Sequence, residues 1–249
     1  MLIYIYRCSF YRCAGSVVSA IAAPGASLEL CDMTATVATR RGEPTVLLDA
    51  VSARFFPGQL TAVMGPSGAG KSTLISAASL RASERVHLVG SVRCNGRPVA
   101  TQREVDAYCR SVGFVPQQLD LVLDFSLTAA ENLFFQALLR WDQSMDRMLH
   151  GGATGGWLSR SEKIRMVVLE LLHRFGLLPY RSVRAADLSG GSRRRLAIAI
   201  ECLQPAPIMF LDEPTTGQDA DTALEVMRLL SGLATQEEFA RRKTVRHPH

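Results

Sequence analysis

Nothing in the chain is both long and apolar enough to cross a bilayer. The longest uncharged stretch, Cys13 to Leu28, falls short of a span and is diluted by alanine, serine, glycine and Pro24. No transmembrane helix is encoded here. Paired cysteines are missing as well: Cys8, Cys13, Cys31, Cys94, Cys109 and Cys202 are scattered with no CxxC spacing. That excludes a zinc ribbon and a disulfide framework, and leaves reduced packing thiols in a cytosolic compartment. No internal repeat appears, and Met1 to Pro24 contain no acid. That segment carries Arg7 and Arg12 and a weak cleavage-like run at Ala20 to Ala23, so residues 1–27 read as an irregular or targeting-like extension.

What is present suits one globular unit. At 249 residues and 47% hydrophobic, the chain can bury one substantial core, with room for an inserted subdomain. The formal charge of +5 suits polyphosphate or an anionic membrane face without requiring either.

From Val46 the pattern is β-like: Val46 to Ser52, Ala53 to Phe56, a Pro57-Gly58 turn, then Gln59 to Met64 running into glycine-rich sequence. A helix is expected from Lys71 to about Arg81, with short strands at Val86 to Cys94 and Ser111 to Val115. Thr128 with Glu131 forms a capping box for a helix through Leu139, and Ser159 with Glu162 forms another. In that second helix Ile164, Val167, Val168, Leu171, Leu172 and Phe175 fall on one stripe, which reads as core, and Gly176 follows as a cap. His150 to Gly156, between the helices, reads as a surface loop.

The chemistry begins at Gly65, Pro66, Ser67, Gly68, Ala69, Gly70, Lys71, Ser72 and Thr73, which fit GxxxxGK[ST] between a strand and a helix. Glycines let successive backbone N–H groups turn inward around a phosphate, and the helix aims its positive dipole end at the same charge. Lys71 supplies a point charge to the β- and γ-phosphates, Ser72 a hydroxyl for Mg²⁺, and Thr73 reaches toward the α-phosphate. Pro207 to Glu213 is an apolar run ending in two acids, the form of a buried strand presenting carboxylates at its C-terminal edge. Asp212 would hold Mg²⁺ through its water shell, and Glu213, on the other side of the strand end, would accept a proton from the attacking water. Leu188-Ser189-Gly190-Gly191 before an Arg- and Ala-rich helical run is a second anion site at a helix N-terminus. Two such sites so far apart make sense if they meet across a dimer.

The ordered set of GPSGAGKST, a glutamine after a strand at Gln117, LSGG, IMFLDEP and TTGQD resembles the ATP-binding cassette of ABC transporters. The phrases around Ala62 to Gly70 and Phe210 to Gly217 most resemble the G subfamily, the white-pigment, sterol and multidrug half-transporters. The resemblance covers roughly Leu28 to Leu233. It implies an α/β fold: a P-loop NTPase core with a mainly parallel sheet, a β-rich edge, and an inserted helical subdomain at about 118–187. The cassette itself would occupy 28–249, incomplete at its C-terminal end.

The same resemblance implies that two cassettes, identical or different, pair head to tail, with MgATP between the P-loop of one and Ser189 to Gly191 of the other. Gln117 would contact Mg²⁺ and the attacking water, and Asp219 would lie across the dimer interface. The implied activity is ATP binding and hydrolysis driving export, on the cytoplasmic side of a membrane, with a transmembrane domain that this chain does not contain. Two other readings stand beside it: a truncated cassette that binds nucleotide without turnover, and a soluble ABC ATPase acting on nucleic acid. No nucleic acid is expected, because Arg193 to Arg195 read as a solvated or interfacial helix face.

Several positions depart from the family pattern. No aromatic lies between Leu28 and Ala50, where many cassettes place a ring against adenine. Gln218 stands where leucine is usual, and the linker from Pro179 to Asp187 is short. The family continues through an apolar strand to a switch histidine. Here His247 or His249 would have to serve, with Arg246 and Pro248 interrupting the strand.

Overall fold

The computed structural model describes residues 2–5, 26–38, 43–141, 159–204 and 206–235. His150 to Gly156 and the two candidate switch histidines lie outside these residues.

Two four-stranded sheets organise the chain. The first is antiparallel throughout, in the order β3-β2-β5-β6, from β2 (Leu28–Ala38), β3 (Pro44–Phe55), β5 (Val86–Cys94) and β6 (Arg97–Pro98). This is the β-rich edge expected around the phosphate loop. β3, Pro44–Phe55, merges the two short strands read from Val46 onward; Ala50, at φ 46°, marks an irregularity within the first of them.

The second sheet has the order β4-β1-β8-β7, from β1 (Leu2–Ile5), β4 (Leu60–Ala62), β7 (Val112–Val115) and β8 (Ile208–Leu211). β7 and β8 run parallel, and β1 is antiparallel to both β4 and β8. Strands β4, β8 and β7 therefore share one direction, and their C-terminal ends open on the same edge. Leu2–Ile5, inside the segment read as an irregular extension, instead form a strand in this sheet. Backbone pairing with both neighbours, Leu2 opposite Ala62 and Leu211, satisfies main-chain groups that composition alone does not locate.

β8 shows why its sequence is apolar at every position. Ile208 and Phe210 are buried against the antiparallel sheet and the helix after the phosphate loop. Met209 and Leu211 are buried on the opposite face, in the helical cluster. With successive side chains on opposite faces and both faces covered, no position is left for a polar residue until the strand ends at Asp212.

The helices are α1 (Lys71–Ala78), α2 (Gln102–Ser111), α3 (Ala129–Arg140), α4 (Arg160–Arg174), α5 (Gly190–Glu201) and α6 (Ala220–Thr235). α3 and α4 begin at the expected caps: Thr128 and Ser159 accept from the backbone N–H of Glu131 and Glu162, whose carboxylates accept in return. The α4 stripe is buried from Ile164 through Phe175, and Gly176 follows at φ 64°. α2 was not read from the sequence, although its signal is there: Thr101 and Glu104 form a third capping box.

The short linker to α5 makes two 3-10 turns, Leu178–Tyr180 and Ala185–Asp187, and is laid against the start of α3. Ala129 and Ala130 donate to the carbonyls of Val183 and Arg181, and Ala185 and Ala186 donate to those of Leu127 and Phe125. An ion pair, with Glu201 largely buried and Arg140 partly so, then ties helices to sheet. Arg140 at the end of α3 meets Glu201 at the end of α5 at 2.9 Å, and the other Glu201 oxygen accepts from the Phe114 N–H of β7.

Candidate nucleotide site

The site lies where β4, β7 and β8 end. After β4 the chain turns through the phosphate loop and enters α1 at Gly70, which holds φ 81°. A Cβ at Gly70 would stand 2.7 Å from the Leu47 carbonyl oxygen and 3.1 Å from a Leu48 methyl, in a backbone conformation that L side chains rarely adopt. Only glycine fits there, where the chain leaves the loop for α1. Lys71 Nζ donates to the carbonyls of Gly65 at 2.9 Å and Pro66 at 2.7 Å, which sets the ammonium at the mouth of the loop.

The acids of β8 come to the same place. Ser72 Oγ donates to Asp212 Oδ1 at 3.2 Å, so the first residues of α1 and the end of β8 present a hydroxyl and a carboxylate side by side. Hard oxygen donors next to a phosphate loop are the ligand set of Mg²⁺, and they fit an ion delivered with a nucleotide. Gln117, just after β7, donates its amide to Glu213 Oε2 at 2.8 Å. Asp212 and Glu213 thus engage opposite partners, as expected for consecutive residues at a strand end.

Glu213 itself sits at φ 49°, in the left-handed region that side chains other than glycine seldom occupy. The backbone leaves β8 and turns at once through Pro214 to Gly217, with the Thr216 N–H donating to the Glu213 carbonyl. Such a conformation is held by its surroundings, and places of this kind gather at functional sites.

Ser189, Gly190 and Gly191 are built as expected but stand apart from the phosphate loop. Ser189 caps α5, accepting from Ser192 N at 3.2 Å and donating to Ser192 Oγ at 3.0 Å. Among the described residues, no hydrogen bond joins this segment to Gly65–Thr73. Gly191 faces its own chain: a Cβ there would be driven into the Thr222 methyl of α6. Asp219 caps α6, accepting from Thr222 N at 3.0 Å, and this bond holds its carboxyl below the usual range. Gln218 braces the same turn by donating to the Pro214 carbonyl at 3.3 Å.

Of the solvated and interfacial readings of the arginine triplet, the solvated one is corrected. Successive helical positions point about 100° apart, so each guanidinium meets a different segment. Arg193 donates to the carbonyls of Ala185 and Ala186 and lies over the Phe125 ring at 5.5 Å. Arg194 donates to those of Pro116 and Gln117. Arg195 donates to the Phe175 carbonyl at 3.4 Å and to Ser192 Oγ at 3.2 Å. Arg194 was not read as a site residue; the signal was a cation on a helix whose next turn, Leu196 to Ile200, is wholly apolar.

A glycine-built phosphate loop, with a strand-end acid pair beside it and a helix-capping Ser-Gly-Gly elsewhere, defines a P-loop α/β protein of cassette type. Residues 48–216 match the family described as ABC transporter, which is more than half of the chain. The chain belongs to the ABC transporter family.

Its similarity to ABC transporter G family member STR of Medicago truncatula is 33% identity over 223 residues, covering 85% of this chain and 25% of that protein. With protein white of Drosophila melanogaster it shares 37% over 195 residues, covering 76% of this chain and 26% of that protein. The resemblance to the G subfamily holds, and the chain spans about a quarter of the length of these relatives. Among solved structures, a dimeric post-hydrolysis state of the ATP-binding cassette MJ0796, bound to ADP and Pi, matches with a TM-score of 0.65 and 27% identity over 84% of each chain. No helix among the described residues is long and apolar enough to cross a membrane.

Proposed function

We propose that this chain is the ATP-binding and ATP-hydrolysing cassette of a G-type ABC transporter, acting on MgATP. The observation that carries the reading is the meeting of three strand ends. Ser72 of the phosphate loop bonds Asp212, and Gln117 bonds Glu213, the residue best placed to accept a proton from an attacking water. In this reading Gly65 to Thr73 cradle the phosphates, with Lys71 countering their charge. Ser72, Asp212 and Gln117 would hold the magnesium that arrives with the nucleotide.

Ser189 to Gly191 form a helix N-terminus with no phosphate loop of its own chain attached, which suits a second cassette, of the same or another chain, set head to tail. Asp219 would then lie at the junction. The helical part, about 118–187, is an inserted subdomain. Exposed Phe135 and Leu139 on α3 and Leu169 on α4 give it apolar surface for a transmembrane partner at the cytoplasmic face of a membrane. A nucleic-acid clamp is disfavoured, because the arginines that would serve it are committed to carbonyls of their own chain.

The test is nucleotide binding and turnover by the purified full chain. Lys71→Ala is expected to abolish saturable MgATP binding. Glu213→Gln is expected to retain binding and lose about 10²- to 10⁴-fold in hydrolysis, the usual worth of a general base. Equal, near-background turnover in Glu213→Gln and the parent would overturn the hydrolytic part; no binding in the parent would overturn the whole.

A further inference from the structure

We propose that Arg194 is a positioning residue for the hydrolytic centre: its guanidinium grips the main chain of Pro116 and Gln117 and so keeps the Gln117 amide on Glu213. The inference rests on the hydrolytic reading above for its consequence, but not for its geometry.

The parallel ladder of β7 and β8 ends at Val115 opposite Leu211, and its last rung is Asp212 N to the Val115 carbonyl at 2.9 Å. Beyond that rung the next two residues of the β7 chain have no strand partner. Their carbonyls are taken instead by one side chain: Arg194 Nη1 donates to Pro116 O at 2.7 Å and Nη2 to Gln117 O at 3.2 Å. From that doubly held backbone the Gln117 side chain reaches Glu213 Oε2 at 2.8 Å.

The residue type suits the role. A guanidinium carries donors in a fixed planar fork and can hold two successive carbonyls at once, whereas an ammonium is a single point charge on a flexible stem. The position is also an unfavourable one for a cation. Arg194 is only 5% exposed, burial lowers its pKa, and the nearby charges of Asp212 and Glu213 work against that lowering. A buried cation bonded to carbonyls rather than to a carboxylate gains little stability for the fold. What it secures is the place of Gln117. α5 also carries Ser189 to Gly191 at its start, so the helix that presents the second anion site also fixes the segment beside the first.

The experiment compares the full-length chain with Arg194→Met, which keeps an apolar stem, and with Arg194→Lys. Amide exchange is followed across residues 113–122 and across the phosphate loop, and hydrolysis is followed as kcat and KM separately. Losing two bonds from a charged donor is expected to speed exchange about tenfold or more in the Met variant at Val122, whose N–H is bonded to the Leu119 carbonyl just past the held segment, with the phosphate loop unchanged. In turnover, kcat is expected to fall about 10- to 100-fold with little change in KM, as for a catalytic group set slightly out of place. The Lys variant should recover part of both effects. Unchanged exchange in the Met variant overturns the proposal, and so does faster exchange spread evenly over the chain with a lowered Tm. If the parent chain does not hydrolyse MgATP, the reading of the preceding subsection fails, and the exchange result alone still decides whether Arg194 holds this segment.

Discussion

At the scale of single residues, the site places function against backbone comfort. Glu213 is held at φ 49°, a region that disfavours a side chain by about 1 to 2 kcal/mol, and its carboxylate receives the Gln117 amide. Glycine adopts that conformation without the clash. Glu213→Gly is therefore expected to raise stability by up to about 1 kcal/mol in chemical denaturation while hydrolysis is lost, a trade of stability against activity. A destabilised Glu213→Gly chain would show that the Gln117 bond outweighs the backbone cost. Gly191 poses the reverse case, because the Thr222 methyl already occupies the space that a Cβ would need. Its size is set by packing within one chain, whatever else the Ser-Gly-Gly end meets.

At the scale of elements, three helices start from the same device. Thr101 with Glu104, Thr128 with Glu131, and Ser159 with Glu162 form reciprocal capping boxes on α2, α3 and α4. The hydrogen bonds that each acid accepts from its cap residue hold its carboxyl below the ordinary value of 4.5. A carboxyl whose folded pKa is depressed adds stability that is fully present above its unfolded pKa and lost as pH falls through the folded one. Thermal stability is thus expected to decline as the pH drops below about 4.5. In Glu131→Gln with Glu162→Gln, melting followed by circular dichroism should show a shallower decline, since glutamine keeps the cap without titrating. An unaltered slope would place the acid sensitivity elsewhere. The sequence made two of these helices legible because a capping box is a local signal. The third carries the same signal, at Thr101 and Glu104, but α2 has few apolar residues to mark a period beside it.

At the scale of the whole molecule, the site depends on how the second sheet is held together. β4 carries the phosphate loop and β8 carries the acids, yet the two are not neighbours; β1 lies between them. Adjacent strands are spaced about 4.8 Å apart, so the loop and the acids are set by a strand from the far end of the sequence. Removing residues 2–5 is expected to leave facing edges of β4 and β8 unpaired. The expected result is a Tm lower by several degrees, about 2 to 4 °C for each kcal/mol in a chain of this size, together with weaker MgATP binding. Calorimetry and a nucleotide titration check this, and an unchanged Tm with intact binding would show that β4 and β8 do not need the strand. The Arg140–Glu201 pair works at the same scale, tying α3 and α5 to β7 from the inside.

The sequence by itself determined the phosphate loop, the acid-ended strand, the capping Ser-Gly-Gly and the caps of α3 and α4. Each is a contiguous pattern whose physical reason acts within a few residues: a glycine that frees a turn, an acid after an apolar strand, a hydroxyl before a helix. Only the tertiary structure decided what joins them. That Ser72 meets Asp212 across the sheet, that Leu2–Ile5 separate the loop strand from the acid strand, and that Arg194 reaches Pro116 and Gln117 are arrangements of residues distant in the chain. Strand order and side-chain direction set such contacts, and no local pattern records them.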